Sequence, residues 1–407
     1  MIQRLIAMMV GLLLPALFAP SLGAIHDHAP PGEPGETYGI AEFRLHVPDI
    51  DRPIRGILFR VAPHLSDSRP EVADPDYRKL CESQDFALLG ARLDDVGMET
   101  GIGDALLRTL AVFAAESGHP ELEFAPLYFE GYSWGGQFAY HFTVWRPERV
   151  LGFVTMKGGY HRTDPAGEAI LVPGYLFIGA NDLQYRIDNL TGIFAEHRPL
   201  GARWILAMQP DAGHEAINDR NLLDDYFTTV TQARLPESIP DGAIPDLRVM
   251  PEQDSWLGDR ERQLIGRWLC YDSAPDSACW LPTRTIAKAW QDFVSDGVVN
   301  DTIDCPTAVF DVPAPSVRLL PNRPNPFNPS TMVMFELKEP GVVVLEVFDL
   351  VGRLVTTLMA GEMRSVGRHE CSWNGRDAAG RDLPTGAYLC RLTVGGERSS
   401  RRLMLLR

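Results

Sequence analysis

Six consecutive residues, Gly131-Tyr132-Ser133-Trp134-Gly135-Gly136, carry the clearest chemical signal in the chain. They follow an apolar run at 127–129 and open a helical stretch over 137–145. A strand-to-helix turn this tight needs small residues flanking the serine, and it leaves the hydroxyl exposed at the strand's C-terminal end. The start of the helix aims unpaired N–H groups at the same place. The Trp134 N–H can then stabilise the oxyanion that forms when the serine attacks a carbonyl. A serine hydroxyl is a weak nucleophile alone, so it needs a base, and the base needs an orienting carboxylate.

Downstream of Ser133, the apolar run 175–180 ends in Asn181-Asp182. The next run, 204–208, ends in Gln209-Pro210-Asp211-Ala212-Gly213-His214, with a helix expected from Glu215. Both polar groups thus fall at C-terminal strand ends, on the rim that holds the serine, in the order serine, acid, histidine. Asp182 and His214 are the expected acid and base. Asp188 falls inside the next helical stretch, Asp211 is too near His214 to reach round its ring, His141 lies within the helix after the serine, and His161 precedes the acid. The second oxyanion donor should come from the loop after the first strand, Val61-Ala62-Pro63-His64-Leu65-Ser66. Pro63 has no N–H, so His64 or Leu65 must supply it, with His64 the first choice. Neither His64 nor the His26-Asp27-His28 trio has partners at zinc-site spacing. Walker A and Rossmann glycine patterns are missing too. No metal and no cofactor is expected.

These residues need a scaffold that brings strand ends to one edge. From 56 to about 227, apolar runs at 56–62, 86–93, 126–132, 150–157, 174–180 and 203–208 alternate with helical patterns. The clearest helix spans 103–116, where Leu106, Leu107, Leu110, Phe113 and Ala114 share a face. Continuous apolar strands separated by helices predict a doubly wound, mostly parallel α/β sheet covered on both faces. Residues 25–50 read as a leader feeding the first strand, 236–254 as a surface stretch, and 256–293 as a Trp-rich continuation of the same domain. After 316 the pattern changes. Val343, Leu345 and Val347 alternate with Val344, Glu346 and Phe348, and turn signals recur every ten to twenty residues, which predicts a small antiparallel sandwich. The expected domains are 1–24, a signal peptide; 25–298, the α/β domain; 299–315, a linker; and 316–407, the sandwich.

The 407 residues are 45% hydrophobic and 23% charged, ample for a buried core. The net charge of −16 argues against nucleic-acid binding, which needs a basic surface. At the N-terminus Arg4 precedes an apolar run, 5–18, and then small residues to Ala24, the pattern of a removed secretory signal. Cleavage after Gly23 and after Ala24 both remain open. No later segment is long and apolar enough to span a bilayer, so the mature chain is expected to be exported and without a transmembrane segment. Cys81 is expected to be a buried thiol. Cys270 could pair with Cys279 or with Cys305, and Cys371 and Cys390 are candidates to bridge the sandwich.

Residues 40–298 resemble secreted α/β-hydrolases of the esterase and polyhydroxybutyrate-depolymerase-like group. The resemblance rests on Gly131 to Gln137, the Asp182 strand end and the Gly213-His214 loop, and the departure at Pro63 bears only on the second oxyanion donor. It implies Ser133 as nucleophile, Asp182 as acid and His214 as base. Members of this superfamily hydrolyse carboxylic esters among other bonds, so the fold alone does not fix the substrate. A carboxylic ester is the expected one. The last ninety or so residues resemble the type IX secretion C-terminal sorting domain. The matching segments are Asn322 to Ser330, Phe348 to Arg353, Trp373 to Gly380, Gly386-Ala387-Tyr388 and the basic-apolar end from Arg401. This second resemblance implies an Ig-like sandwich, the type IX secretion machinery as partner, and a secreted or surface-attached protein.

The chemistry expected is two-step acyl transfer, with activity rising as the imidazole loses its proton, above about pH 6–7. Only residues 158–173 connect the run at 150–157 to the strand before Asp182. So short a lid leaves the serine open, and bulky or polymeric esters are expected to reach it. A serine peptidase of the same fold and a non-catalytic surface-attached binding protein are the competing readings.

Overall fold

The computed structural model describes residues 23–240, 242–271, 277–295, 297, 302–303, 317–320, 322–349, 353–395 and 397–407. The chain divides into two units, Met1–Cys305 and Pro306–Arg407.

Strands that are apolar on both faces must be covered on both faces, and such strands make the centre of the first unit. In chain order its elements begin β1 (Ala24–His28), β2 (Ala41–Val47), β3 (Gly56–Val61), α1 (Pro75–Ser83), β4 (Phe86–Leu93) and α2 (Ile102–Ser117). They continue β5 (Leu127–Tyr132), α3 (Trp134–Trp145), β6 (Val150–Met156), β7 (Gly174–Gly179), α4 (Gln184–His197), β8 (Trp204–Gln209) and α5 (Arg220–Arg234). The eight strands form one sheet in the order β1-β2-β4-β3-β5-β6-β7-β8. From β4 to β8 every neighbouring pair is parallel, and β2 runs against both of its neighbours. Every residue of β6 and β7 is buried, as a sheet covered on both faces requires. At its centre Phe59, Phe129, Phe138 and Phe142 are fully buried. The Phe129 ring lies 5.6 Å from Phe59 and 5.1 Å from Phe142, centroid to centroid.

Two segments depart from the sequence reading. The leader over 25–50 is instead a pair of antiparallel strands, β1 and β2. β1 is an edge strand with a polar, half-exposed sequence, so it lacks the apolar run that marks its neighbours. It is held by cross-strand pairing, with Asp27 opposite Arg44 at 2.7 Å. The helix expected from Glu215 starts at Arg220, because the Asp219 side chain caps it by accepting the Leu222 N–H at 3.1 Å.

The Trp-rich segment adds β9 (Trp256–Gly258), β10 (Ile265–Arg267), β11 (Cys279–Leu281) and α6 (Arg284–Val294). β12 (Thr302–Ile303), inside the stretch expected to be a linker, pairs with β10 instead, so that the strands order as β11-β9-β10-β12. The Trp-rich segment packs on β8. The Leu206 carbonyl accepts from the Cys279 thiol at 3.2 Å and from the Trp290 indole at 3.0 Å. Cys279 is therefore a free, buried thiol, and the Cys270–Cys279 loop does not form. Cys270 is disulfide-bonded, while Cys305 lies outside the described residues. Cys81 is buried and free.

The second unit holds β13 (Val317–Leu319), β14 (Thr331–Leu337), β15 (Gly341–Phe348), β16 (Leu354–Arg364), β17 (Gly367–Trp373), β18 (Gly386–Val394) and β19 (Glu397–Leu405). Its two antiparallel sheets are β13-β14-β17 and β16-β15-β18-β19. Val343, Leu345 and Val347 point into a common core with Phe335, Trp373 and Leu392. Cys371 and Cys390 are both free. They sit on β17 and β18, which belong to different sheets, and with both thiols free the expected bridge is absent. The alternation shows which face a strand buries but not which strand is its neighbour.

Phe129→Ala should lower unfolding stability by about 3–5 kcal/mol, since the ring is fully buried among aromatic neighbours. Chemical denaturation monitored by circular dichroism would read this.

Candidate active site

The local chain path around Ser133 follows from sterics. β5 leads directly into α3, and Ser133 between them is held at φ 54° and ψ −114°, a conformation that costs a non-glycine residue on the order of 1–3 kcal/mol. The helix can start there only because Gly135 has no side chain. A Cβ on Gly135 would lie 2.0 Å from the Val61 carbonyl oxygen at the end of β3. Leu65, Lys157 and Asp211 also have positive φ, of 58°, 55° and 52°. With Ser133, they are the turns that follow β3, β6, β8 and β5, so backbone strain gathers on the rim where those parallel strands end.

That rim brings three side chains together. The Ser133 hydroxyl lies 3.0 Å from His214 Nε2, and His214 Nδ1 lies 2.9 Å from Asp182 Oδ2. A carboxylate can only accept, so Nδ1 carries the proton and Nε2 is left to accept from the serine. Asp182 follows β7 and His214 follows β8, as the sequence reading places them. The other Asp182 oxygen accepts from the Leu183 N–H at 2.7 Å and from Arg186 Nη1 at 2.8 Å. Burial pushes the Asp182 carboxyl up, but the hydrogen bonds from His214, Arg186 and Leu183 outweigh it and hold the group below its ordinary value. The Asp182 side chain is 2% exposed and that of His214 is 27% exposed, so the acid is sealed while the imidazole borders solvent.

Further groups shape the site that sequence reasoning missed. Tyr132 donates its hydroxyl to the His214 carbonyl. Burial first, then the charges of Asp182 and Glu215, push that phenol up, which keeps it a donor. Arg186, in the first turn of α4, stands four residues after Asp182 in the loop before it, a spacing that sequence could have shown. Gln137 on α3 accepts from the Gly159 and Tyr160 N–H groups at 3.2 and 3.1 Å, which ties the 158–173 loop to the helix that starts behind Ser133.

Trp134 is the first residue of α3, so its N–H has no acceptor within the helix. The loop after β3 passes beside it. The His64 ring meets the Trp134 ring edge-on with centroids 3.8 Å apart, in a turn closed by Ser66 N–H donating to the Pro63 carbonyl at 3.0 Å.

The rival groups are placed elsewhere. Asp188 accepts from Gln184 on α4. His141 hydrogen-bonds the Val96 carbonyl and the Arg162 N–H. His161 meets Thr155 and Asn189, and burial pushes its pKa down to about 3. Asp27 is occupied by Arg44, and His26 lies 3.7 Å from Glu116.

Sheet order, elbow and loop placement define the first unit as an α/β-hydrolase fold and the second as an Ig-like β-sandwich. Residues 328–397 match the model of the FlgD Ig-like domain. No curated protein matches the sequence. Among solved structures, the chain is similar to the fluorophosphonate-binding serine hydrolase F of Staphylococcus aureus, at 13% identity and TM-score 0.36 over 51% of this chain and 98% of that one. It is also similar to the S-formylglutathione hydrolase of Staphylococcus aureus, at 12% identity and TM-score 0.38 over 51% and 98%. A third is the acetyl xylan esterase from Aspergillus awamori, at 11% identity and TM-score 0.38 over 51% and 99%.

The lowered Asp182 carboxyl makes a stability statement with a definite sign. Its contribution is fully present above the unfolded aspartate value of about 4 and is lost as pH falls through the lower folded value. Denaturation midpoints of the wild type and Asp182→Asn should therefore differ most at neutral pH and converge in acid.

Proposed function

We propose that the first unit is a serine hydrolase of carboxylic esters. The Ser133–His214–Asp182 relay, with both contacts at hydrogen-bond distance, carries this reading. Ser133 Oγ attacks the ester carbonyl carbon as its proton passes to His214 Nε2. The oxyanion is held by the Trp134 N–H and by the N–H of His64 in the loop after β3. Collapse expels the alcohol, which takes the proton from His214, and leaves the acyl group on Ser133. A water then gives its proton to Nε2 and attacks the acyl carbon, and a second collapse frees the carboxylic acid and restores the serine. Asp182 stays ionised throughout and stabilises the imidazolium.

Bulky esters, polymeric ones included, are the substrates this rim favours. Leu65, Tyr160 and Leu183, on loops that carry or adjoin the relay, and Tyr185, in the first turn of α4, are large apolar side chains left exposed. Tyr160 and Tyr185 lie 5.2 Å apart, centroid to centroid. Such a cluster suits an extended apolar chain better than a small polar ester. The mature protein is further proposed to be secreted or held at the cell surface, with the Ig-like unit as its export address. The sorting-domain motifs support that role. Among the described residues no helix is long and apolar enough to cross a membrane.

A fluorophosphonate probe should label the wild type and not Ser133→Ala, and p-nitrophenyl acetate should be hydrolysed where a peptide anilide is not. Ser133→Ala should lower kcat by about 10⁴-fold or more. Labelling without ester turnover, or anilide turnover as fast, would favour the competing readings. Tyr160→Ala and Tyr185→Ala should lower kcat/KM on a bulky ester by roughly 3–10-fold, the worth of an aromatic contact, and leave p-nitrophenyl acetate nearly unaffected.

A further inference from the structure

A buried lysine ammonium stands behind the loop that carries His214. Lys157 follows β6, next to the residue whose carbonyl accepts the Ser133 N–H at 2.7 Å. Its φ of 55° turns the side chain's backbone out of the strand path, and the side chain is 0% exposed. Long cationic side chains normally keep their heads in water, so a fully covered ammonium at a strand end needs partners. It has two. Nζ donates to Gln209 Oε1 at 2.9 Å and faces Glu215 Oε1 at 3.5 Å.

Both partners flank the histidine loop. Gln209 ends β8, and its carbonyl accepts the Ala180 N–H at 3.0 Å, two residues before Asp182. Glu215 follows His214 directly, and the same Oε1 that faces Lys157 accepts the Gly213 N–H at 3.1 Å. One carboxylate oxygen thus joins the ammonium to the residue before the base. The loop is pinned at two further points. The Asn181 N–H donates to the Ala212 carbonyl at 2.8 Å, and Tyr132 donates to the His214 carbonyl. The loop packs closely enough on β7 that a Cβ on Gly179 would lie 2.3 Å from the Gly213 carbonyl oxygen.

We infer that Lys157, acting through Glu215, is a positioning residue that fixes the His214 loop so that Nε2 faces Ser133. The inference rests on the hydrolase reading above. Among the described residues no hydrogen bond or ion pair joins the Lys157 side chain to Ser133 or to the imidazole. It orders the backbone at Gly213, and the orientation of the ring follows. The energetic logic is that of preorganisation. A Glu215 carboxylate that is 55% exposed would by itself be a mobile surface group, and a covered cation gives it one place to stay. Displacing a catalytic group by about 1 Å costs on the order of a hundredfold in rate, so a loose loop reads out in kcat rather than in substrate affinity.

The test is steady-state kinetics on p-nitrophenyl acetate with the full chain. Lys157→Met and Glu215→Ala should each lower kcat by about 10–100-fold with KM within twofold of wild type. Glu215→Gln keeps an acceptor for the Gly213 N–H but loses the ionic partner, so its kcat should fall between wild type and Glu215→Ala. The double variant should be no worse than the poorer single variant, because both remove one linkage. Should Lys157→Met fail to fold, the two Glu215 variants decide alone, since that side chain is half exposed and Gln209 still accepts from the ammonium when it is lost. Wild-type kcat in Glu215→Ala, or multiplicative losses in the double variant, would overturn the inference. If the wild type neither turns over the ester nor takes up the fluorophosphonate probe, it is the hydrolase reading that fails.

Discussion

The contact between the start of α3 and the end of β3 governs the rest of the first unit. The Val61 carbonyl sits where a side chain on Gly135 would have to be, so helix and strand approach at backbone distance and the chain between them has one route. Ser133 takes up the strain of that route. In return its hydroxyl stands clear of the sheet, the first N–H of the helix points outward, and the loop after β3 is brought alongside Trp134. Because β3 and β5 are parallel neighbours, the same edge also receives the turns after β6, β7 and β8.

Polar chemistry on that edge is arranged by burial. Asp182 is covered and its hydrogen-bonding capacity is taken up by His214, Arg186 and the Leu183 N–H, which leaves a fixed negative charge with no freedom to turn. His214 borders solvent, as its proposed role in exchanging protons with a substrate and with water requires. Around both lie exposed apolar residues with no covering element on the 158–173 loop beyond a short helical turn. A rigid polar centre within an open apolar rim is the combination on which the proposed preference for bulky esters rests.

The second unit shows the same alternation of strands with a different outcome. Its core is assembled from residues two apart on facing sheets, and with Cys371 and Cys390 free no disulfide between them ties the two sheets together. The sandwich thus owes its stability to burial of apolar side chains such as Phe335, Leu345 and Trp373.

Local patterns determined a good deal here. Continuous apolar runs marked the parallel strands, glycines around Ser133 marked the elbow, and strand ends placed Asp182 and His214 on one rim, because each of these signals is written in neighbouring residues. The strand pair at the N-terminus was hidden, since an edge strand with polar residues on both sides carries no periodic signal. The partner of Cys270 was open for a related reason: loop closure depends on distances that sequence separation does not set. Lys157 and Tyr132 gained their meaning only from tertiary structure. A lysine is ordinarily a solvated surface group, and nothing adjacent to it in the chain announces that β8 and the histidine loop will close over it. Nearest-neighbour chemistry determined which side chains could react, whereas the stacking of distant strand ends decided which of them are held still, because burial and hydrogen-bond partners come from segments far apart along the chain.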